Sequence, residues 1–154
     1  MANFIRWSVQ ELSSQYKMQT TVTLIIMFIV FMTAWYLLKT SYENYLENEP
    51  TVMHLKNKLT PVFPELKFVK ILKGDASYTI NKQKIYLCTE ANGEVYDDNM
   101  LTYVTLHELA HTLCPEIGHG KQFQNIFQTL LGRAERHKLF DPHKERVENY
   151  CKIK

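Results

Sequence analysis

With 154 residues, the chain has room for one compact domain beside an apolar segment, and its 18 basic against 16 acidic side chains leave a net charge of +2. That balance excludes the strong positive field of a dedicated nucleic-acid binder, so nucleic acid is not an expected partner. Three cysteines, Cys88, Cys114 and Cys151, are odd in number and lack paired spacing, which argues against a disulfide framework and for a reducing compartment.

At the start, Ile5, Val9, Leu12 and Tyr16 recur at helical spacing, so residues 1–19 read as an amphipathic segment lying on a membrane or a partner. Residues 20–38, TTVTLIIMFIVFMTAWYLL, follow with no Asp, Glu, Lys or Arg between Lys17 and Lys39. As a helix they span about 28 Å, the thickness of a bilayer's hydrocarbon, with Trp35, Tyr36 and the flanking lysines as interfacial anchors. A single-pass membrane protein is therefore expected, with the lipid bilayer as a partner. Orientation stays open, because Arg6 and Lys17 on one side face Lys39, Lys56 and Lys58 on the other. Residues 39–50, polar and ending in Pro50, read as a linker, and the soluble domain is expected over residues 51–154.

In that domain Val52, Leu55 and Leu59 predict a short helix that Pro61 and Pro64 end. A strand is expected over residues 66–72. SYTI and KIYLCT then flank Asn81-Lys82-Gln83 as the arms of a hairpin, giving about three strands, with KIYLCT expected at an edge near the cleft. After Asn92-Gly93 a polar loop reaches Asp97 or Asp98, either of which can cap a helix through YVTLHELAH, and Pro115 prevents its continuation. Phe123, Ile126, Phe127, Leu130 and Leu131 form the stripe of a second amphipathic helix. The predicted fold class is α+β: an N-terminal transmembrane helix, then a small domain with a roughly three-stranded sheet packed on the motif helix and on a second amphipathic helix.

HELAHTLCPEIGHGKQF, residues 107–123, holds three of the six histidines. On a helix His107 and His111 share one face, so both imidazoles can reach a single ion about 2 Å away, while Glu108 sits where it can take a proton instead of coordinating. Three ionisable side chains on a mostly apolar helix are costly without a shared partner, and zinc is that partner. For the third ligand the leading candidate is His119, bracketed by Gly118 and Gly120. Glu135 on the second helix is the alternative and Glu116 a poorer one. Metzincin spacing is excluded, since positions 114 and 117 hold Cys114 and Ile117. Cys114 reads as a small buried residue. Tyr150, Tyr103 and His137 are chemical candidates for stabilising an oxyanion, with none assigned.

YVTLHELAH, the glycine-flanked His119 and KQF leading into an amphipathic helix resemble the WLM and SprT-like group of small zincin metallopeptidases. The likeness runs over about residues 52–153 and is strongest over 103–123. The closing ENYCKIK resembles compact members found in large DNA viruses. The resemblance implies a zincin-like domain with zinc ligands His107, His111 and His119, Glu108 as base, and Phe123 as the aromatic that follows the third histidine. Nuclear members that cleave DNA-crosslinked proteins carry partner-binding and basic segments that are not seen here, and a membrane anchor is foreign to that role.

Together these readings predict a membrane-anchored zinc endopeptidase acting on protein or peptide substrates, with Glu108 as general base. A catalytically silent, zinc-stabilised membrane adaptor and a DNA–protein crosslink protease are the alternatives.

Overall fold

A computed structural model describes the backbone of residues 2–148, 150 and 151, and the side chains of residues 15–148, 150 and 151. The stripe expected at Ile5, Val9 and Leu12 lies outside the described side chains, as do Lys152 and Lys154. Two units emerge, Met1–Tyr42 and Glu43–Lys154.

The first unit is the body of helix α1 (Ala2–Glu47). Its stretch Gln15–Glu47 is long and apolar enough to cross a membrane. The threonines inside this stretch return their hydroxyls to their own helix: Thr20 to the Tyr16 carbonyl at 2.8 Å, Thr23 to Gln19 at 2.9 Å, Thr33 to Val30 at 2.9 Å. Each of these hydroxyls is thus satisfied without water, which a helix in hydrocarbon requires.

The expected linker at 39–50 is instead helical as far as Glu47, and only Asn48 and Glu49 separate α1 from α2 (Pro50–Leu59). Polarity misled here because Glu43, Glu47 and Glu49 belong to the second unit and find partners within it. The buried Glu43 carboxylate accepts from Lys84 at 2.5 Å, and Glu47 from Lys56 at 2.7 Å. Glu49 caps α2 by accepting from the Val52 amide at 2.9 Å, and Pro50 takes the first turn, where its missing N–H costs nothing. Val52, Leu55 and Leu59 are fully buried, as their spacing predicts.

Residues 66–68, expected to be extended, belong to a 3-10 helix (Pro64–Phe68), which Pro64 opens with its preset φ. Strands β1 (Lys70–Lys73), β2 (Tyr78–Ile80) and β3 (Lys84–Leu87) then form a sheet in the order β1-β3-β2. β1 runs parallel to β3 with Ile71 beside Ile85; β2 runs antiparallel to β3 with Thr79 beside Ile85. KIYLCT therefore supplies the central strand, not the edge that was expected, because β1 pairs with the side of β3 that β2 leaves free. Between β2 and β3, Asn81 and Lys82 both have positive φ, 50° and 55°, in the three-residue connection 81–83. The loop expected after Asn92-Gly93 instead begins with β5 (Glu94–Val95), which pairs with β4 (Glu90–Ala91) in a small hairpin.

Helix α3 (Asp98–Leu113) packs on β2, β3, α2 and α4 (Lys121–Arg136). Asp97, not Asp98, is its cap, accepting from the Asn99 and Met100 amides at 2.8 and 3.1 Å. Because neighbours surround it, residues on several of its faces are buried, Leu106, Leu109 and Ala110 among them. α4 is amphipathic and buries Phe123, Phe127, Leu130 and Ala134.

Cys88 and Cys151 are joined in a disulfide, which corrects the expectation of unpaired thiols and runs against the reducing compartment inferred from it. The partners stand 63 residues apart, a separation without a local signature. They meet because the C-terminal segment folds back, with the Cys151 amide donating to the Tyr96 hydroxyl at 3.0 Å and Tyr150 packed on Tyr96. Cys114 stays free and buried, as expected.

Candidate metal centre

The site begins with the helical repeat. Four residues apart on α3, His107 and His111 project from one face, with ring centroids 5.0 Å apart. The helix stops at Cys114, whose amide makes the last bond to the Ala110 carbonyl before Pro115, which has no N–H to continue. Gly118, at φ +91°, supplies the left-handed step within the short loop that leads into α4. This reversal brings the His119 Nε2 to 3.0 Å from that of His107 and 3.1 Å from that of His111. The three ligand atoms lie within 4.8 Å of one another, a group able to hold a metal ion.

A neutral imidazole carries a single N–H. When Nδ1 holds it, each Nε2 turns a lone pair toward the common centre, and a shared cation converts that repulsion into attraction. Burial, then the charges of His111 and His119, push His107 down to about 4. Burial, then His119, lowers His111 as well. Both shifts favour the unprotonated imidazole, the form that binds metals. The ring of Phe123 packs against all three histidines at centroid distances of 4.4–5.0 Å and closes one side of the cluster.

Glu108 is buried and stands outside the group of ligand atoms. Its Oε2 accepts from the Thr79 hydroxyl at 2.9 Å, and the same hydroxyl lies 3.0 Å from the Glu108 carbonyl oxygen. Burial raises the Glu108 carboxyl above its ordinary value, and the Thr79 bond opposes that rise. A cleft of about 570 Å³ exposes this carboxylate together with the three histidines, and Thr79, Lys82 and Ile117 contribute to its walls.

Of the three candidates for a third ligand, His119 joins His107 and His111. Glu135 lines a separate depression with Lys58, Asp98 and Asp141, away from the cluster. Glu116 lines the cleft without joining the ligand group. The three oxyanion candidates do not line the cleft. Tyr103 packs on Phe127 and accepts from Arg146, His137 ends α4, and Tyr150 donates to the Cys88 carbonyl. The Tyr150 hydroxyl lies 3.2 Å from Oγ of the cleft residue Ser77, and burial pushes it up to about 12. Sequence reasoning missed Thr79 and Lys82. Thr79 carries no signal, being one β residue among several; Lys82 carries a faint one, a side chain at a turn position that favours glycine.

The chain is 46% identical over 87 residues to uncharacterized protein 136R of Invertebrate iridescent virus 6, covering 54% of this chain and 49% of that one. It is 46% identical over 87 residues to uncharacterized protein 042R of Invertebrate iridescent virus 3, covering 55% of each. It is also 47% identical over 58 residues to uncharacterized protein R325 of Acanthamoeba polyphaga mimivirus, covering 36% of this chain and 29% of that one. The chain spans about half the length of the first two relatives and less of the third. No family model and no solved structure matches it.

Proposed function

We propose that the protein is a membrane-anchored, zinc-dependent endopeptidase of the WLM/SprT-like zincin kind, with His107, His111 and His119 as zinc ligands and Glu108 as general base. The observation that carries this reading is the convergence of three Nε2 atoms beside a buried carboxylate that is held by Thr79 and kept out of the ligand group. Three nitrogen donors, two from one helix and one from the loop that follows it, match the ligand set of catalytic zinc, which keeps a coordination position open; a purely structural site fills four and has no use for Glu108. When bound, zinc supplies Lewis acidity that makes water a nucleophile near neutral pH.

The chain's own residues do the rest. Glu108 takes a proton from the attacking water and delivers it to the departing amine, so that peptide C–N cleavage leaves a carboxylate and a free amine. Burial favours the protonated acid needed for that delivery, and the Thr79 bond favours the carboxylate needed to begin. β2 has a strand neighbour on one side only among the described residues, so its outer edge can pair with an extended peptide backbone. The helix Gln15–Glu47 is the anchor, and it directs the enzyme to protein substrates near a bilayer.

The deciding experiment compares the full chain with Glu108→Gln in detergent micelles. The variant is expected to retain zinc by elemental analysis and to lose cleavage of an unfolded protein substrate by about 10²–10⁴-fold. Unchanged cleavage by the variant rejects Glu108 as the base. A wild-type chain that binds zinc and cleaves nothing rejects the enzyme reading in favour of an adaptor.

A further inference from the structure

We propose that Lys82 is a positioning residue for the metal centre: its ammonium group fastens the start of the 114–120 loop, and thereby places His119 against His107 and His111. The proposal rests on the reading of the three histidines as metal ligands.

Two helix ligands come prepaid, since α3 is packed on several sides. The third does not. His119 and its neighbours Pro115, Glu116, Ile117 and Gly120 are exposed, and among the described residues none of 115–119 takes part in a backbone–backbone hydrogen bond. Ordering such a loop costs conformational entropy for every residue fixed, and an external tie reduces what metal binding must supply. Lys82 is such a tie. Its Nζ donates to the Cys114 carbonyl at 2.7 Å and to the Pro115 carbonyl at 3.1 Å, across 32 and 33 residues of sequence. Those carbonyls sit at the end of α3, where they lack helical partners and where the helix dipole favours a cation.

An independent observation comes from the turn itself. Lys82 occupies the second central position of the Ile80–Gln83 turn at φ 55°, after Asn81 at φ 50°, with the Gln83 amide closing on the Ile80 carbonyl at 3.1 Å. Asparagine followed by glycine is the favoured pair for such a turn, because an L side chain is strained at positive φ. Local geometry thus argues for glycine, yet the chain carries a lysine whose side chain reaches the loop bearing His119. A side chain kept against local preference has its use elsewhere, and here that use is the span to Cys114 and Pro115.

A simple helix cap and a positioning residue differ in what the substitution disturbs. Zinc affinity is to be measured by competition with a chromophoric chelator, on the full chain in micelles, for the wild type, Lys82→Gly, Lys82→Met, Lys82→Arg, His119→Ala and the double variant Lys82→Gly/His119→Ala. Lys82→Gly relieves the turn, so the zinc-free unfolding midpoint should not fall, while zinc affinity drops by about tenfold, the lower end for residues supporting a ligand. Lys82→Met, which leaves the turn's side chain in place, should show the same drop, and Lys82→Arg should restore most of it. In the His119→Ala background, Lys82→Gly should change affinity no further, because its effect passes through that ring.

Wild-type affinity in both Lys82→Gly and Lys82→Met overturns the proposal, as does an equal drop with and without His119. Failure of the underlying reading looks different: a wild-type chain that binds no zinc, or binds it equally well after His119→Ala, removes the metal site and the role of Lys82 with it.

Discussion

Along α1, Leu24, Ile26 and Phe28 are exposed by 64%, 55% and 65%, whereas Leu106, Leu109 and Ala110 of α3 are sealed completely. Both helices are rich in apolar residues, so composition alone does not separate a helix meant for lipid from one meant for a protein core. Their polar residues do. The threonines of α1 bond back to their own helix, whereas His107, Glu108 and His111 of α3 reach partners on the loop and on β2. An anchor has to be self-sufficient; a helix that builds a site must send its polar groups outward to a common point.

One substitution made twice tests this contrast most strongly. Leu109→Ala removes a fully buried side chain and should cost the second unit about 2–5 kcal/mol, read from urea unfolding of the full chain in micelles by near-ultraviolet tyrosine dichroism. Leu24→Ala, in the exposed stretch, should leave that transition unmoved. Equal losses at the two positions would mean that α1 is packed as a core helix and has no free apolar surface to offer a membrane.

The disulfide sharpens the comparison next. α1 needs no covalent constraint because its hydrogen bonds are local, whereas the second unit closes a long chain segment between Cys88 and Cys151. Under oxidising conditions, replacing both by serine should lower its stability by about 2–4 kcal/mol through a freer unfolded chain. The same loss should follow reduction of the wild type, and no loss in either experiment would show that the thiols are unpaired in solution.

What was legible in the sequence was whatever repeats locally. The period of Val52, Leu55 and Leu59 marked α2, that of Phe123, Phe127 and Leu130 marked α4, and the four-residue interval of His107 and His111 marked one face of α3. The hairpin of β2 and β3 was visible from its turn. What escaped depends on pairs distant along the chain: β1 lying parallel to β3, Glu43 reaching Lys84, Cys88 meeting Cys151, Thr79 bonding Glu108. Such contacts arise from tertiary closure and leave no periodic trace, which is why the three histidines of the site were readable while their supports were not.

The finest separation between the two helices is made with threonine. Thr79 donates to the Glu108 carboxylate, whereas Thr23 in α1 donates to its own backbone at Gln19. Burial raises the Glu108 carboxyl and Thr79 restrains that rise, so Thr79→Val should raise it further. A general base works only when ionised. Activity is therefore lost as pH falls through its pKa, and a higher pKa moves that loss toward higher pH. The acid limb of kcat/KM for a peptide substrate should accordingly shift upward in Thr79→Val while the plateau at higher pH is largely kept, and Thr23→Val should leave the whole profile in place. An acid limb that stays fixed, or shifts downward, would show that Glu108 is not the group titrating there, and that the threonine of β2 serves the sheet alone, as self-contained as the threonines of α1.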